Sequence, residues 1–449
     1  MLKPTVANAK TANYMNSSHT TLVAEHSVES LAAVIAGHAG PILPVGSRTK
    51  SALCAGPAGA TLLDMRAHRS IVSYDPSEFL ISAQAGTPLA DMQAVLDEQR
   101  QYLPFDPLFV SQGATLGGTI ASGLSGAGRL LYGSLRDFVM EVQLIDGLGT
   151  IVRGGGKVVK NAAGFDLPKL VVGSYGRMGV LTEVTLKVFP RPPANATLQM
   201  QATNVAAAGA AVQRLLAQPL PVSALDLHFD RAGEVALLAR FSAPSDSLAE
   251  VLRRAASAGG LPSQSVGDSP EQEQQIWRDR AALVEQHSES TAKLLVRIAT
   301  SLPALVQLAP ALLAQAGEGA QLHATGGGSV AWLSLLAGSQ PAGTSPLDNT
   351  RRLAALDQLL AIHKTPAIVI SAPRHISAPR HAALGAARLG SEAEAEAEAE
   401  IDSIVSGLIP LGDRTWLTMA GRIQRAMDPH GKFATYAAFS STPSTTVGG

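Results

Sequence analysis

Three glycine-rich stretches fall within the first 190 residues, each beside a run that reads as a strand: GSRTK (46–50), GATLGGTIASG (113–123) and GSYGRMG (173–179). Glycine reaches positive φ and lets a ligand approach the backbone with no Cβ in the way. Successive free N–H groups in such loops can cradle a pyrophosphate. One loop of this kind is ordinarily only a turn, whereas three beside strands favour a large phosphorylated cofactor. The middle stretch opens a segment with seven glycines from Gly113 to Gly133, so bare backbone is concentrated there. The third has Gly173, Gly176 and Gly179 at a spacing of three and follows a Lys160-Asn161 pair.

Two familiar nucleotide folds fail on context. A dinucleotide fingerprint needs G-x-G-x-x-G after a strand and opening a helix, with an acidic residue roughly twenty positions on. GSYGRMG is G-x-x-G-x-x-G and leads into the β-branched run VLTEVTLKVF, a strand. No G-x-x-x-x-G-K-[ST] occurs, which removes the P-loop.

The remaining pattern is mixed α and β. Ser27 caps a helix over 27–39 with Leu31, Val34 and Ile35 on one face. Thr87 and Pro88 open a second helix with Leu89, Met92 and Leu96 inward. PILPV, ATLLDM, SIVSY and FLISAQA read as strands, QYLPFDPLF as a proline-broken loop, and FVMEVQLID and TIVRGG as a hairpin about Asp146-Gly147-Leu148-Gly149. FPRPPAN (189–195) is the clearest linker. Beyond it, helices are expected near 205–217, 245–258, 270–287 and 302–316, with strands SALDLHF, EVALLARF and KLLVRIAT between them. QPAGTSPLDN (340–349) reads as a flexible loop and SEAEAEAEAE (391–400) as low complexity, while SAPRH-ISAPRH (371–381) is too short to be an architectural repeat.

Composition narrows the class. At 449 residues the chain can bury more than one core, and 46% hydrophobic with 16% charged content describes a globular protein. A net charge of -1 gives no reason to expect nucleic acid or an anionic membrane surface as partner. The N-terminus lacks the apolar core of a signal peptide, and no run reaches the eighteen or so apolar residues of a membrane span, so a soluble, cytoplasmic protein is expected. The single cysteine, Cys54, excludes a disulfide framework, a cysteine zinc site and an iron–sulfur cluster within this chain. A cluster receiving its electrons has to sit on a partner.

Taken together, PILPVGSRTK, PFDPLF…GATLGGTIASGLSGAGRLLYGSLRDFV and GKVVKNAAGFDLPKLVVGSYGRMGVLTEVTLKVFPRP resemble the FAD-binding domain of the vanillyl-alcohol oxidase (PCMH) type. Within that superfamily the resemblance is to the FAD-binding subunit of bacterial glycolate oxidase (glycolate dehydrogenase). It runs continuously over about residues 20 to 193 and rests afterwards on QIWRDR (275–280) and MDPHGKF. It implies an α+β fold: a PCMH-type FAD-binding domain of two α+β subdomains over 21–193, and a smaller α+β cap domain over 194–410 with the two insertions. A C-terminal segment, 411–437, would pack back on the FAD domain, between a disordered N-terminus (1–20) and a disordered tail (438–449).

The resemblance also implies roles. Gly46, Ser47, Arg48, Thr49 and Lys50 would hold the FAD pyrophosphate. Pro107, Thr115, Gly117, Gly118, Ser122 and Gly123 would line the flavin and its phosphates, and Gly173, Gly179 and Val180 would pack against the adenine end. Lys160 and Asn161, with Gly164 and Asp166, match the family's K-N-x-x-G-[YF]-D-L block. Flavin-side hydrogen bonding and a structural role both remain open for Lys160 and Asn161. The first loop has no histidine, which speaks for non-covalent FAD, and Cys54 reads as a small buried apolar residue.

Oxidising a 2-hydroxy acid needs a cationic clamp for the carboxylate, a base for the hydroxyl proton and a hydride acceptor. Related D-2-hydroxyacid dehydrogenases carry an H-x-G-D-G-N-x-H-like metal and substrate segment. LHATGGGSVAWL (322–333) keeps only His323 of it, and that histidine reads as structural. His375 and His381 show no metal-ligand spacing, and Arg278 and Arg280 read as surface salt-bridge formers. No catalytic residue and no metal site are assigned. The favoured reading is a FAD-binding subunit of a glycolate-oxidising complex, with a sister FAD-containing subunit, an iron–sulfur subunit and a small 2-hydroxy acid as partners. Any membrane association would run through those subunits. The alternatives are a self-sufficient D-2-hydroxyacid dehydrogenase and a non-catalytic assembly subunit.

Overall fold

The alternation of buried and exposed positions builds two units in this computed structural model, which describes residues 20–24, 27–54, 56, 59–156, 166–229, 233–285, 293–317, 320–336, 346–371, 410–412 and 416–433. Lys160, Asn161, Gly164, His375, His381, the SAPRH duplication past Ser371, the 391–400 run and the 438–449 tail lie outside the described residues, as do residues 1–19.

The first unit starts with β1 (Thr21–Val23), α1 (Val28–Gly37), β2 (Ile42–Val45) and β3 (Thr61–Asp64), whose strands pair in parallel in the order β1-β3-β2. Ser27 caps α1 by accepting from the Ser30 N–H at 3.0 Å, and Leu31 and Ile35 drop into a core with Ile42 and Leu63. Next come β4 (Ile71–Asp75), β5 (Leu80–Gln84), α2 (Leu89–Glu98), β6 (Gln101–Tyr102), α3 (Leu116–Ser122), α4 (Arg129–Tyr132), β7 (Val139–Ile145), β8 (Ile151–Gly155), α5 (Leu167–Val171) and β9 (Val180–Lys187). Five of these strands form an antiparallel sheet, β4-β5-β9-β7-β8. The β7–β8 turn is fixed by Asp146, whose carboxylate accepts from the N–H groups of Leu148 at 2.9 Å and Thr150 at 2.8 Å.

The second unit follows β10 (Phe189–Pro190): β11 (Ala194–Ala202), α6 (Val205–Leu216), β12 (Val222–Phe229), β13 (Val235–Ala243), α7 (Leu248–Gly259), β14 (Ser263–Val266), α8 (Pro270–Glu285), β15 (Lys293–Ala299), α9 (Leu302–Ala316), β16 (Gln321–Thr325), β17 (Val330–Leu336), α10 (Pro346–Ile362), β18 (Pro366–Ser371), β19 (Pro410–Gly412) and α11 (Trp416–Met427). Expected as a smaller cap, this unit carries the widest sheet among the described residues, nine antiparallel strands in the order β14-β11-β13-β12-β16-β17-β15-β18-β19. One face is covered by α6, α7, α9 and α10. Leu305, Leu308 and Leu312 of α9 pack there against Leu225, Leu227 and Leu322, each burial contributing about 1.5–3 kcal/mol.

The opposite face of that sheet packs on the first unit, where Trp332, Val330 and Ile368 share a core with Phe105, Phe109 and Leu108. Polar contacts cross the same boundary. Asp106 accepts from Arg240 at 3.0 Å and from the Gly128 N–H at 2.8 Å, and Arg240 lies 4.9 Å over the Trp277 ring. Glu285 accepts from the Phe109 N–H at 2.7 Å and from the Ser111 hydroxyl at 3.0 Å. The chain then returns: Ala420, Ile423 and Met427 of α11 pack on the first unit, Ile42 N–H donates to the Lys432 carbonyl, and Phe433 bridges Ile42 in parallel.

Four local readings need correcting. The second helix begins at Leu89 with Pro88 as its cap residue, because the Thr87 hydroxyl is engaged by the Ser70 backbone on both N–H and carbonyl at 3.1 Å. FPRPPAN is structured at both ends, since Phe189–Pro190 pairs with Gln101–Tyr102 and Ala194 opens β11. The same pairing makes the start of QYLPF a strand. In QPAGTSPLDN, Pro346 starts α10, which suits a proline at a first helical turn, and 337–345 lie outside the described residues.

Candidate cofactor site

Strand β2 delivers the chain into the loop Gly46–Lys50, which lies against the N-terminus of α3. A Cβ at Gly46 would meet Thr115 Oγ1 at 2.2 Å, so only glycine lets the loop backbone approach the helix. Thr115 in turn caps α3, accepting from the Gly118 N–H at 3.3 Å. Arg48 is left-handed at φ 55. The N–H groups of Gly46, Ser47, Arg48, Thr49 and Lys50 have no acceptor among the described residues. Consecutive free donors broken by a left-handed residue are the kind of backbone that can cradle an anion.

Lys50 supplies a buried charge. It is 7% exposed, donates to Thr49 Oγ1 at 2.9 Å, and sits 4.9 Å over the Phe109 ring. Burial lowers its pKa to about 8, with Cys54 and Glu285 pulling the other way. No carboxylate forms an ion pair with it among the described residues. Cys54 lies beside it, half-buried, its thiol pushed up by burial and drawn back by Lys50, Arg48 and Arg177.

The third glycine stretch closes the other wall. The Gly173 N–H donates to Ile120 O at 3.1 Å and the Tyr175 N–H to Ala121 O at 2.8 Å, docking the turn on the last residues of α3. Gly123, left-handed at φ 65, ends that helix; its Cβ would lie 3.2 Å from the Gly173 backbone. Buried Arg177 donates to Tyr175 O at 2.7 Å and to Leu53 O at 3.4 Å, tying this turn to the helical turn Ser51–Cys54 that follows the first loop.

These elements line a partly open cleft. Eight sequence-expected residues line it: Gly46, Ser47, Arg48, Thr49, Lys50, Thr115, Gly118 and Ser122. Pro107, Gly117, Gly123, Gly173, Gly179 and Val180 do not. A Cβ on Gly117 would meet Ala85 Cβ at 2.8 Å, and one on Gly179 would meet Ile145 O at 2.8 Å, so both glycines permit close packing of elements. Val180 is fully buried in its strand. The sequence reading missed Pro44, Val45, Leu53, Cys54, Ala121, Tyr175 and Gly176 as lining residues. A signal for Tyr175 was available: it stands between two glycines of the tight turn, and it adopts φ 53.

The donor set fits a phosphate-bearing group. The lining offers free amides, hydroxyls of Ser47, Thr49 and Ser122, and the cations of Arg48 and Lys50, with no Asp or Glu. Residues 21–155 match the family model described as FAD binding domain. Over those residues the first unit is similar to an FAD-binding domain. Over 192 residues the chain is 45% identical to the glycolate oxidase subunit GlcE of Escherichia coli, covering 43% of this chain and 54% of that protein. It is 31% identical to the glycolate oxidase subunit GlcD of Bacillus subtilis over 44% of this chain and 42% of that one. It is 31% identical to a D-lactate dehydrogenase of Anaerostipes hadrus over 48% and 46%. The chain thus spans about half the length of the curated relatives it matches. A solved alkyldihydroxyacetonephosphate synthase superposes with a TM-score of 0.60 at 15% identity, over 92% of this chain and 75% of that one. The fold class is accordingly α+β, of the PCMH type.

The other residues weighed for chemistry fall elsewhere. His323 Nε2 lies 3.1 Å from Asp226 Oδ2, both side chains buried. Arg278 donates to Gln274 and Gln275 on its own helix, and neither it nor Arg280 forms an ion pair among the described residues, contrary to the salt-bridge expectation. Burial holds half-buried Arg280 below the usual arginine range, offset by Asp226 and Asp279. No helix among the described residues is long and apolar enough to cross a membrane.

Proposed function

We propose that this chain is a FAD-dependent oxidoreductase acting on small 2-hydroxy acids, as a subunit of a glycolate-oxidising complex. The five unpartnered amides of Gly46–Lys50, beside buried Lys50, which forms no ion pair among the described residues, carry the reading. Similarity to the subunits GlcE and GlcD and to D-lactate dehydrogenases points it toward hydroxy acids. In this reading Gly46, Ser47, Arg48, Thr49 and Lys50 hold the pyrophosphate, and Thr115, Gly118 and Ser122 line the flavin side of the cleft. Pro107, Gly117 and Gly123 shape the flavin-side wall. Gly173, Gly179 and Val180 support the wall at the adenine end, and Lys160 and Asn161 belong to the flavin side. Bound non-covalently, FAD supplies a two-electron acceptor. The residues of the chain orient it and exclude water, and Lys50 holds its proton against the phosphates.

With a single cysteine, the chain cannot ligate a cluster alone, so electrons leave through an iron–sulfur subunit, beside a sister FAD-containing subunit. The complex is cytoplasmic, and any membrane contact runs through those partners. The test is the visible spectrum of the purified chain before and after denaturation, with the released cofactor identified. Stoichiometric, releasable FAD is expected. Colourless protein that takes up no added FAD, alone or co-expressed with its partners, overturns the assignment.

A further inference from the structure

The loop from Phe105 to Gly113, which leads into Thr115 at the cofactor cleft, holds two non-glycine residues in the left-handed region: Asp106 at φ 47 and Phe109 at φ 64. Such backbone is sparsely populated and persists only where its surroundings hold it. Both residues are held from the second unit. Arg240 of β13 donates to the Asp106 carboxylate at 3.0 Å. Glu285, the C-terminal residue of α8, accepts from the Phe109 N–H at 2.7 Å and from the Ser111 hydroxyl at 3.0 Å. The Glu285 carbonyl also accepts from the Gln112 side chain.

Glu285 is buried, and no cation forms an ion pair with it among the described residues. A buried carboxylate without a counter-ion is costly unless donors fill its oxygens. Here the loop fills both: Oε1 takes the Phe109 amide and Oε2 the Ser111 hydroxyl. Packing alone would need only an apolar residue at this helix end, and Val284 beside it already enters the first unit's core. The carboxylate therefore serves the loop.

The loop in turn carries the Phe109 ring, 1% exposed, with Lys50 Nζ at 4.9 Å from its centroid. A ring face attracts an ammonium and gives it a fixed seat, which the flexible lysine stem does not provide by itself. Side-chain direction follows the backbone, so a Phe109 released from φ 64 would swing its ring off the lysine. Contacts thus run unbroken from the α8 carboxylate through the Phe109 amide and ring to Lys50, which lines the cleft. No lining residue of that cleft comes from the second unit. We propose that Glu285 is a positioning residue for the cofactor, holding Phe109 left-handed so that its ring seats the Lys50 ammonium at the phosphate loop. The proposal rests on the flavin reading of the cleft. It makes the second unit a contributor to cofactor affinity without a contact of its own in the cleft.

The test titrates the full chain, stripped of cofactor, with FAD and reads affinity from the flavin fluorescence, well below pH 8 where Lys50 is charged. Glu285→Ala should weaken FAD about 3- to 10-fold, the range of a lost cation–π contact. Glu285→Gln keeps an oxygen for the Phe109 N–H and should stay within about twofold of wild type. In a Lys50→Met background the alanine change should have no further effect, because the ammonium it seats is gone. A merely structural role would weaken FAD equally in both backgrounds, and that result overturns the proposal. So does a Glu285→Gln protein as weak as the alanine variant, or an alanine variant that binds like wild type. If Glu285→Ala does not fold, Phe109→Leu keeps the backbone hydrogen bond and removes only the ring. It should weaken FAD about 3- to 10-fold with Lys50 present and not at all in Lys50→Met. Equal losses in the two backgrounds overturn the proposal there too. Wild-type protein that takes up no FAD removes instead the flavin reading beneath it.

Discussion

The Gly46–Lys50 loop and the face of the nine-stranded sheet toward the first unit both leave polar groups without partners among the described residues, but they assemble them differently. The loop is contiguous: five amides in sequence, bent by one left-handed residue and pressed against a helix cap. The sheet face takes Asp226, His323 and Thr325 from two strands, and register alone brings them side by side. A backbone site needs a short motif. A side-chain cluster made by strand pairing needs the whole topology, and no window of sequence contains it.

Substitutions can break or sharpen that contrast. The largest effect is expected at Gly46, where valine would drive its Cβ into Thr115 Oγ1. Gly46→Val should abolish FAD retention on gel filtration and lower thermal stability by about 1–3 kcal/mol, the usual cost of overpacking. FAD retained at wild-type levels would mean the loop is not the cradle. Next comes the joint between units: Asp106→Ala strands Arg240 and the Gly128 N–H, and should cost about 2–4 kcal/mol in denaturant unfolding.

Lys50→Met separates binding from folding. The folded pKa of about 8 lies below the ordinary lysine value of 10.5, so the unfolded chain binds more protons. Stability of the FAD-free wild type should therefore rise as pH increases from about 8 to 10.5, and the burial cost is fully present below 8. Removing the charge should stabilise the FAD-free protein at neutral pH by about 1–3 kcal/mol. It should also weaken FAD roughly tenfold. An anion favours the charged form, so wild-type FAD affinity should decline above pH 8 and that of the variant should not. Equal pH slopes would remove Lys50 from the phosphate site. The smallest effect is expected at Thr325→Val, which replaces a buried, unpaired hydroxyl by a methyl and should stabilise the FAD-free protein by up to about 1 kcal/mol. A clear loss of stability there would show that the hydroxyl is satisfied in solution.

The same contrast explains what could be read beforehand. Helix caps such as Ser27, the hairpin about Asp146 and the buried stripe of α9 are local and were legible. Thr87 misled because its hydroxyl answers Ser70, seventeen residues away, and no local rule contains that partner. Of the residues expected at the cofactor, the first loop, Thr115, Gly118 and Ser122 line one cleft, whereas Gly117 and Gly179 carry the same glycine signal and pack against Ala85 and Ile145. Bare backbone looks alike in sequence whether a ligand or another strand comes near. His323 looked solitary because Asp226 lies ninety-seven positions away and meets it only across β12 and β16.

The bridge between Ile42 and Phe433 has a consequence for how the protein is made. Phe433 extends the parallel sheet beside β2, the strand that leads straight into the cofactor loop. A nascent chain leaving the ribosome can pair β1, β2 and β3 early, yet the edge under that loop stays uncovered until translation has passed Phe433. Chains halted before that point would carry residues 46–50 on an unfinished platform, so a ligand held by that loop would be captured late in synthesis.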